Sequence, residues 1–440
     1  MLATLLLSVA LGHVRPAKPM VIGPRRATTT KPTYRFVSHE PGIARSVVRE
    51  PRGTAEGAGS LWVVDQAASV SRVTSRAAFR ASSPRAQEIL RLPGHPSIVA
   101  AFAGEAILWS GSTAGPPALY RLDHGVSRLL WRGRDVALPA AEPPGSHVVQ
   151  GIGALGASAS AAGFVYGATV ALPPGCDFCS RPVFREVWVG PPQGPFRRVR
   201  GLPSRCHQID ALDAGPTAVV VSESPTTCSE AAPTSARVVS VPIRGRGRRV
   251  VLAASNAFRF TGVAAAGRYV AWNRVPPHCG RRRIACWRAG VVVFDRRTSR
   301  VVLKLHAKQL HVTGGPSISS ALQADGKLAL VAFGATKPCE GIVCNHGRLA
   351  WASPSSPRPH LVAAAPRDWP IAMSDDRIVF PTEDNGALEV SDLRGRARTL
   401  DRFVPSVRWF PGTLDASGGR ALWVVATPAP STSILAARLR

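Results

Sequence analysis

Eight cysteines and a few neighbouring histidines are the residues of this sequence whose types and spacing could do chemistry. The cysteines are Cys176, Cys179, Cys206, Cys228, Cys279, Cys286, Cys339 and Cys344. An even number of cysteines at short spacings is typical of disulfides in an exported protein. We therefore predict four disulfides, which join Cys176 to Cys179, Cys206 to Cys228, Cys279 to Cys286, and Cys339 to Cys344.

The same cysteines leave other chemistry open. Cys176 and Cys179 form a Cys-x-x-Cys pair, which could be redox-active. Together with Cys339 and Cys344 this pair could supply the four thiolates of a zinc site. No helical pattern follows the Cys-x-x-Cys pair to lower the pKa of a thiol, so structural disulfides are favoured. Redox chemistry, a metal site and free thiols stay as alternatives.

Histidine, arginine and tryptophan residues accompany the cysteines in the same stretches. Three imidazoles could ligate a metal, but histidines are common in exposed loops, and we predict no metal and no cofactor. The sequence contains no Gly-x-Ser-x-Gly elbow, no His-Glu-x-x-His pair and no phosphate-binding glycine loop, so no catalytic residue is predicted. The candidate binding face consists of His207, His278, Arg281, Arg282, Arg283, Trp287 and His346.

Short β-strands must position these residues. Four runs are rich in β-branched or aromatic residues and are bounded by Gly, Pro, Asp or Asn, as strands and hairpin turns usually are. They are residues 258–264, 267–273, 290–295 and 300–305. This pattern predicts a four-stranded antiparallel meander of roughly fifty residues.

The meander recurs along the chain, and its second strand is the easiest to mark. The second strands are residues 60–64, 106–109, 163–166, 218–221, 268–272, 328–331, 377–380 and 421–425. A lone sheet of this kind buries neither face, so such sheets must pack on their neighbours around an axis. The repeat predicts an all-β fold, a single β-propeller of four-stranded blades with eight blades, or seven as the alternative. A two-sheet sandwich would not need so many equally spaced units.

The last predicted blade lacks one strand, because the chain ends after its third strand at residues 433–439. An open edge would leave backbone N–H and C=O groups unpaired. We predict that residues 33–38 supply the outer strand of this blade, so that an N-terminal strand closes the ring.

The repeat resembles that of a known group of proteins. Leu119-Tyr-Arg-Leu-Asp123 with Leu130-Trp131, and Val292-Val-Phe-Asp295 with Arg300-Val-Val302, are similar to the blade repeats of bacterial extracytoplasmic propellers of the WD40-like and TolB-like kind. Quinone-cofactor propellers also have Leu-Asp turns, but their recurrent tryptophans are mostly absent here, so no quinone site is implied. In a meander, the loops from second to third strands and from fourth to first strands share one face, so all eight cysteines are predicted to lie on one rim.

Composition and the N-terminal stretch indicate the compartment and the partner. Residues 2–12 are apolar and end in Ala-Leu-Gly, which predicts a signal peptide at residues 1–12, a flexible lead-in at 13–32 and a propeller domain at 33–440. The run is too short for a membrane span. The net charge is +28, but the arginines that dominate it are scattered, so we expect no specific nucleic acid.

Two functions stay open at this point. The first is an exported, extracytoplasmic and monomeric binding or scaffold module, whose cysteine-stapled face holds a protein or an anionic polymer of the cell envelope. The alternative is an enzyme of the propeller funnel, such as a metal-dependent hydrolase, lyase or lactonase. The two differ in whether carboxylates or histidines converge in the axial funnel, because one fold serves many activities.

Overall fold

The computed structural model describes most of the chain from residue 87 onward and two strands before it. The described residues are 34–38, 45–49, 87–93, 97–102, 105–112, 115–123, 126–140, 142–171, 180–204, 207–226, 235–244, 248–276, 288–312, 314–335, 345–364, 370–382, 386–403, 413–426 and 431–439.

Six four-stranded antiparallel sheets are each built from four consecutive strands. We call these sheets blades 1 to 6. Blade 1 contains β4 (Ser97–Phe102), β5 (Glu105–Ser112), β6 (Gly115–Asp123) and β7 (Val126–Arg132). Blade 2 contains β8 (His147–Ala157), β9 (Ala162–Ala171), β10 (Ser180–Gly190) and β11 (Arg197–Val199). Blade 3 contains β12 (His207–Ala214), β13 (Ala218–Pro225), β14 (Ala236–Pro242) and β15 (Val250–Ser255).

The next three sheets repeat this arrangement. Blade 4 contains β16 (Arg259–Ala266), β17 (Tyr269–Val275), β18 (Gly290–Asp295) and β19 (Arg300–His306). Blade 5 contains β20 (Gly314–Leu322), β21 (Leu328–Ala335), β22 (Asn345–Ser353) and β23 (Ser356–Ala363). Blade 6 contains β24 (Ala372–Ser374), β25 (Arg377–Pro381), β26 (Ala387–Asp392) and β27 (Ala397–Arg402).

A seventh four-stranded sheet, blade 7, combines two distant parts of the chain. Three of its strands are β28 (Leu414–Ser417), β29 (Arg420–Ala426) and β30 (Ser431–Arg438). The fourth is β3 (Gln87–Pro93), which pairs antiparallel with β30 from Gln87 opposite Ala436 to Pro93 opposite Ser431. The remaining described strands, β1 (Tyr34–Ser38) and β2 (Arg45–Arg49), pair only with each other in a separate two-stranded sheet.

The first strands of the blades lie side by side around a common axis. Each contacts the first strand of the next blade, and β28 of blade 7 contacts β4 of blade 1. The succession of contacts therefore returns to its starting point. The chain is a β-propeller.

The core lies between successive blades, and the second strands are its most buried members. In β13, Val219, Val220 and Val221 are fully buried, because the strand is covered on both faces by neighbouring sheets. Burial of one such side chain contributes roughly 1.5–3 kcal/mol to folding. The fourth strands lie at the periphery, and β15 and β23 have no buried residue. This gradient explains why the second strands are the clearest hydrophobic runs in the sequence.

The predicted all-β propeller of four-stranded blades is confirmed, but two details of the prediction are wrong. Eight blades were expected, whereas the described residues form seven four-stranded sheets. The predicted second strand at residues 60–64 lies outside the described residues. The next described strand along the chain, β3, belongs to blade 7. Seven of the eight predicted second strands overlap β5, β9, β13, β17, β21, β25 and β29.

The predicted pairing of residues 33–38 with the last blade is also wrong. Tyr34–Ser38 pairs with Arg45–Arg49. The segment next to blade 7 is Gln87–Pro93, which lies shortly before the first strand of blade 1. A short connection of this kind leads from the outside of one blade to the axis of the next, as elsewhere in the ring.

Helical structure is scarce in the part of the chain that the structure describes. Its helix is a single short 3-10 turn, Ala307–Leu310, after β19. None of the helices in these ranges has the length and the apolar character that crossing a bilayer requires.

Tight packing of the first strands predicts a glycine requirement in β8. A Cβ atom on Gly156 would lie 2.5 Å from the Asp213 Cα and 2.8 Å from the Ala214 nitrogen of blade 3. We expect Gly156→Ala to lower the free energy of unfolding by roughly 1–3 kcal/mol, because backbone atoms must move apart. Chemical denaturation measures this change. Gly153→Ala is the matched control, since nothing lies within 4 Å of its Cβ position; equal effects of the two substitutions would contradict the packing described here.

Because the fourth strand of blade 7 comes from residues before blade 1, truncation of the N-terminal part of the chain should affect the stability of blade 7. Removing residues 1–93 deletes β3 and leaves the outer side of β30 unpaired. We expect the whole ring to melt at a clearly lower temperature in differential scanning calorimetry. Removing residues 1–49, which deletes only β1 and β2, should leave the melting temperature nearly unchanged. A shift of the same size in both truncations would contradict the assignment.

Candidate functional site

An axial cavity of about 580 Å³ lies where the first strands of the seven blades end. We call it the axial cavity. Every blade contributes to its lining, mainly through alanine, glycine and serine. The lining also includes Ala101, Asp213, Ala265, Gln323, Asp375 and Asp415.

The axial cavity lies at the opposite end of the ring from the predicted cysteine rim. Its walls are the C-terminal ends of the first strands and the turns that follow, as at Ala214 and Ser417. The cysteines occur instead between second and third strands or before a first strand. Because consecutive strands run in opposite directions, these two sets of connections lie at opposite ends of the blades.

Asp213 projects into the axial cavity from β12 of blade 3. Its neighbours Leu212 and Ala214 are buried in the core between blades 2 and 3, and the alternation of side chains along a strand turns Asp213 the other way. One carboxylate oxygen accepts a hydrogen bond from its neighbour, the Ala214 N–H, at 2.8 Å. The other accepts from the Ala265 N–H of blade 4 at 2.7 Å. Asp213 therefore links the first strands of two blades.

Asp415 repeats this arrangement in blade 7. Its Oδ1 accepts from the Ala416 N–H at 2.7 Å. Its Oδ2 accepts from the Ala101 N–H of blade 1 at 2.6 Å. The carboxylate of Asp415 thus joins the last blade to the first, on the inner side of the ring.

Both carboxyl groups bind protons more readily than an ordinary aspartate. Burial raises the pKa of Asp213 from 3.8 to about 6, although the two backbone N–H groups oppose this rise. Burial also raises the pKa of Asp415 to about 7, and the negative charge of Asp213 adds to the increase. At neutral pH Asp213 is therefore mostly ionised and Asp415 is about half ionised, and a nearby positive charge would favour the ionised form of both.

The lining of the axial cavity contains no Lys, Arg or His among the described residues. Two cations at this end of the ring, Arg296 and Lys327, are engaged with other groups. Arg296 donates to the Gly267 carbonyl at 2.6 Å, and Lys327 donates to Asp376 at 2.9 Å. The net charge of the chain is +28, so an anionic cavity contrasts with the protein as a whole.

Most of the predicted site residues lie outside the described residues. These are all eight cysteines, His278, Arg281, Arg282, Arg283 and Trp287. His207 is described: it is buried at the start of β12, and its Nε2 lies 3.0 Å from the Ser235 carbonyl oxygen. His346 is in β22, opposite Gly334 of β21. The predicted binding face and the disulfides remain predictions.

Sequence reasoning missed Asp213 and Asp415. Both belong to a Leu-Asp-Ala triplet near the end of a first strand, and the aspartate lies two or three residues before a glycine in the following turn. This recurrence was the available signal, but an aspartate before a turn is usually a solvated turn residue. Among the described residues, no group of three or more His, Cys, Asp or Glu side chains is arranged to hold a metal ion.

Comparisons with known proteins identify no family, but solved β-propellers are similar to the chain. No family model matches the chain, and no curated protein matches it. Three solved β-propellers illustrate the likeness. The WD40 domain of Neurospora crassa Pan2 is 11% identical, with 80% of this chain and 95% of that chain covered and a TM-score of 0.45.

The other two come from microbial enzymes. The β-propeller domain of the Trilobed protease from Pyrococcus furiosus is 10% identical, with 79% and 96% of the two chains covered and a TM-score of 0.45. Virginiamycin B lyase from Staphylococcus aureus is 11% identical, with 80% and 98% covered and a TM-score of 0.44.

The raised pKa values predict how stability depends on pH. Since the folded-state pKa values exceed 3.8, the folded protein binds these protons more tightly than the unfolded chain. Their stabilising contribution is complete below about pH 4 and is lost as the pH rises through 6 and 7. Replacing both residues by asparagine should reduce the loss of unfolding free energy between pH 4 and 8 by several kcal/mol, since one unit of pKa shift corresponds to about 1.4 kcal/mol.

Urea denaturation at several pH values measures this difference. Asp135→Asn is the control, because Asp135 is exposed and does not line the axial cavity. Parallel pH profiles of the double asparagine variant and the unsubstituted protein would show that the two carboxyl groups are not perturbed.

Proposed function

We propose that the protein is a binding module whose axial cavity takes the positively charged group of a ligand, such as a primary amine or a guanidinium. The observation that carries this proposal is the lining of the axial cavity, where Asp213, Asp375 and Asp415 are present and Lys, Arg and His are absent among the described residues. A β-propeller fold is compatible with a binding or scaffold role.

The size and shape of the axial cavity support this proposal. Its volume of 580 Å³ lies within the range of small-molecule sites, roughly 300–1,000 Å³. The walls consist largely of small side chains on strands, which leave open space at the axis and do not move easily to fill it. A ligand with a flexible chain and a terminal cation fits such a site.

The two hydrogen-bonded carboxylates are suited to recognition because they are already oriented. Each oxygen of Asp415 is held by a backbone N–H, and the same is true of Asp213. A cation that approaches such a carboxylate does not have to order it first, which reduces the entropic cost of binding. The cation also offsets the unfavourable burial that raises the two pKa values.

A second part of the proposal concerns compartment and partner. We propose that the protein is exported and that its cysteine-bearing loops hold a protein or an anionic polymer of the envelope. The apolar run at residues 2–12 and the even number of cysteines support this hypothesis. Amino-terminal sequencing of secreted protein should give a chain that begins near His13; an intact Met1 in a cytoplasmic fraction would contradict it.

One observation favours the enzymatic alternative as a second candidate. Carboxyl groups that titrate near neutral pH are suited to general acid–base catalysis, and Asp213 and Asp415 have pKa values of about 6 and 7. A hydrolase, lyase or lactonase in the funnel would use one as acid and the other as base. Such an enzyme would convert its substrate, and this activity would disappear in the Asp213→Asn and Asp415→Asn variants, whereas a binding module would show no turnover.

Calorimetric titration with the diamine cadaverine tests the cation site. We expect binding at pH 8 that weakens toward pH 5, because the carboxylates become protonated across their pKa values. Asp213→Asn and Asp415→Asn should each weaken binding by about tenfold, or ~1.4 kcal/mol. The uncharged pentanediol of the same chain length should not bind.

Two controls make the titration decisive. Asp135→Asn removes one exposed negative charge without touching the axial cavity, and it should leave cadaverine binding unchanged. Equal weakening in all three variants would mean that the diamine responds to overall charge, and the proposal would fail. Binding of pentanediol with similar affinity would also refute it.

A further inference from the structure

The outer surface between blades 2 and 3 brings together two arginine runs that are far apart in sequence. The first run lies in and after β11 and comprises Arg197, Arg198 and Arg200; the second lies before β15 and comprises Arg244, Arg248 and Arg249. All six side chains are exposed. We call these six residues the arginine band.

Two hydrogen bonds fix the runs against each other. Arg197 donates from Nη2 to the Pro242 carbonyl at 2.6 Å, and Arg249 donates from Nη1 to the Gly201 carbonyl at 2.5 Å. The bonds cross in opposite directions, from blade 2 to blade 3 and back. The arginine band is therefore one surface and not two separate turns.

Glu186 and Glu223, two acidic residues of blades 2 and 3 that the structure describes, are buried and already have partners. Glu186 is the nearest on blade 2; its side chain is 7% exposed, and it pairs with Arg134 at 3.1 Å and with Arg198 at 2.9 Å. Glu223 of blade 3 is fully buried and accepts hydrogen bonds from Ser204. Glu186 thus offsets the charge of one arginine among several, and the described residues of this surface keep a positive net charge.

The fold concentrates positive charge at the periphery in general. The seven first strands contain one Arg or Lys, Arg259, whereas the seven outer strands contain ten. At the arginine band, hydrogen bonds join residues of two neighbouring blades into one basic surface. Arginine is suited to such a surface because its planar group binds carboxylate, sulfate and phosphate in a bidentate manner.

We propose that the arginine band is a docking surface for a linear anionic polysaccharide. Charge complementarity carries the proposal, because the six exposed arginines belong to one surface and a chain with repeated anionic groups can bind several of them at once. Nucleic acid fits less well, because single strands bind by stacking bases on exposed aromatic rings. Trp188 and Phe196, the aromatic residues beside the band, pack into the aromatic cluster of blades 1 and 2.

This surface is distinct from the axial cavity and from the predicted cysteine rim, so the inference does not depend on the proposed function. Arg200, Arg244 and Arg248 are the residues to replace, because Arg197 and Arg249 also hold the two blades together. The matched control replaces three exposed arginines of blade 6, which are Arg394, Arg396 and Arg402. It removes the same amount of positive charge from a different blade.

The experiment measures binding of fluorescently labelled alginate to the full-length protein at two salt concentrations. We expect the Arg200→Ser/Arg244→Ser/Arg248→Ser variant to bind at least tenfold more weakly and with a smaller salt dependence. The blade 6 variant should bind within twofold of the unsubstituted protein. Circular dichroism melting checks that both variants are folded.

The opposite outcomes overturn the proposal. Equal weakening in both triple variants would show a response to net charge and no defined surface. Tighter binding to a single-stranded oligonucleotide or to vesicles of phosphatidylglycerol, with the same loss in the band variant, would assign the surface to nucleic acid or to a membrane. The absence of alginate binding by the unsubstituted protein would refute it directly.

Discussion

The closure of the ring is the constraint on which the rest of the structure depends. A four-stranded blade is covered on both faces only if it has two neighbours, so the first and last blades must meet. Two features bring them together: β3 pairs with β30 on the outside of blade 7, and Asp415 accepts the Ala101 N–H on the inside. Together these contacts hold blade 7 against blade 1 and keep second strands such as β29 covered, so that Trp423 is fully buried.

The same geometry separates the charges of a strongly basic chain. Seven first strands converge on the axis, and convergence favours small side chains, which is why Gly156 approaches the Asp213 backbone so closely. Carboxylates at the axis can accept hydrogen bonds from the backbone of the adjacent blade, whereas arginine has no acceptor to offer. Arginine therefore collects on the outer strands, where solvent stabilises its charge. The anionic axial cavity and the basic outer strands therefore both follow from the propeller architecture.

The sequence predicted the repeating part of this architecture well and its distant contacts poorly. Second strands such as β13 and β21 are covered on both faces, so they form continuous hydrophobic runs that stand out locally. The pairing of Gln87–Pro93 with a strand more than three hundred residues away has no local signature, and Tyr34–Ser38 was an equally plausible candidate. The roles of Asp213 and Asp415 depend on neighbouring blades, so their pattern resembled an ordinary turn.

The protonation of Asp213 and Asp415 in the intact ring is the most direct test of this account. Carbon-13 NMR of the aspartate carboxyl groups, assigned with the two asparagine variants, follows each titration separately. We expect midpoints near 6 for Asp213 and 7 for Asp415 in the free protein. Both midpoints should fall when a cationic ligand occupies the axial cavity, because the positive charge stabilises the carboxylates. Midpoints at the ordinary value near 3.8, unaffected by any added amine, would contradict this account.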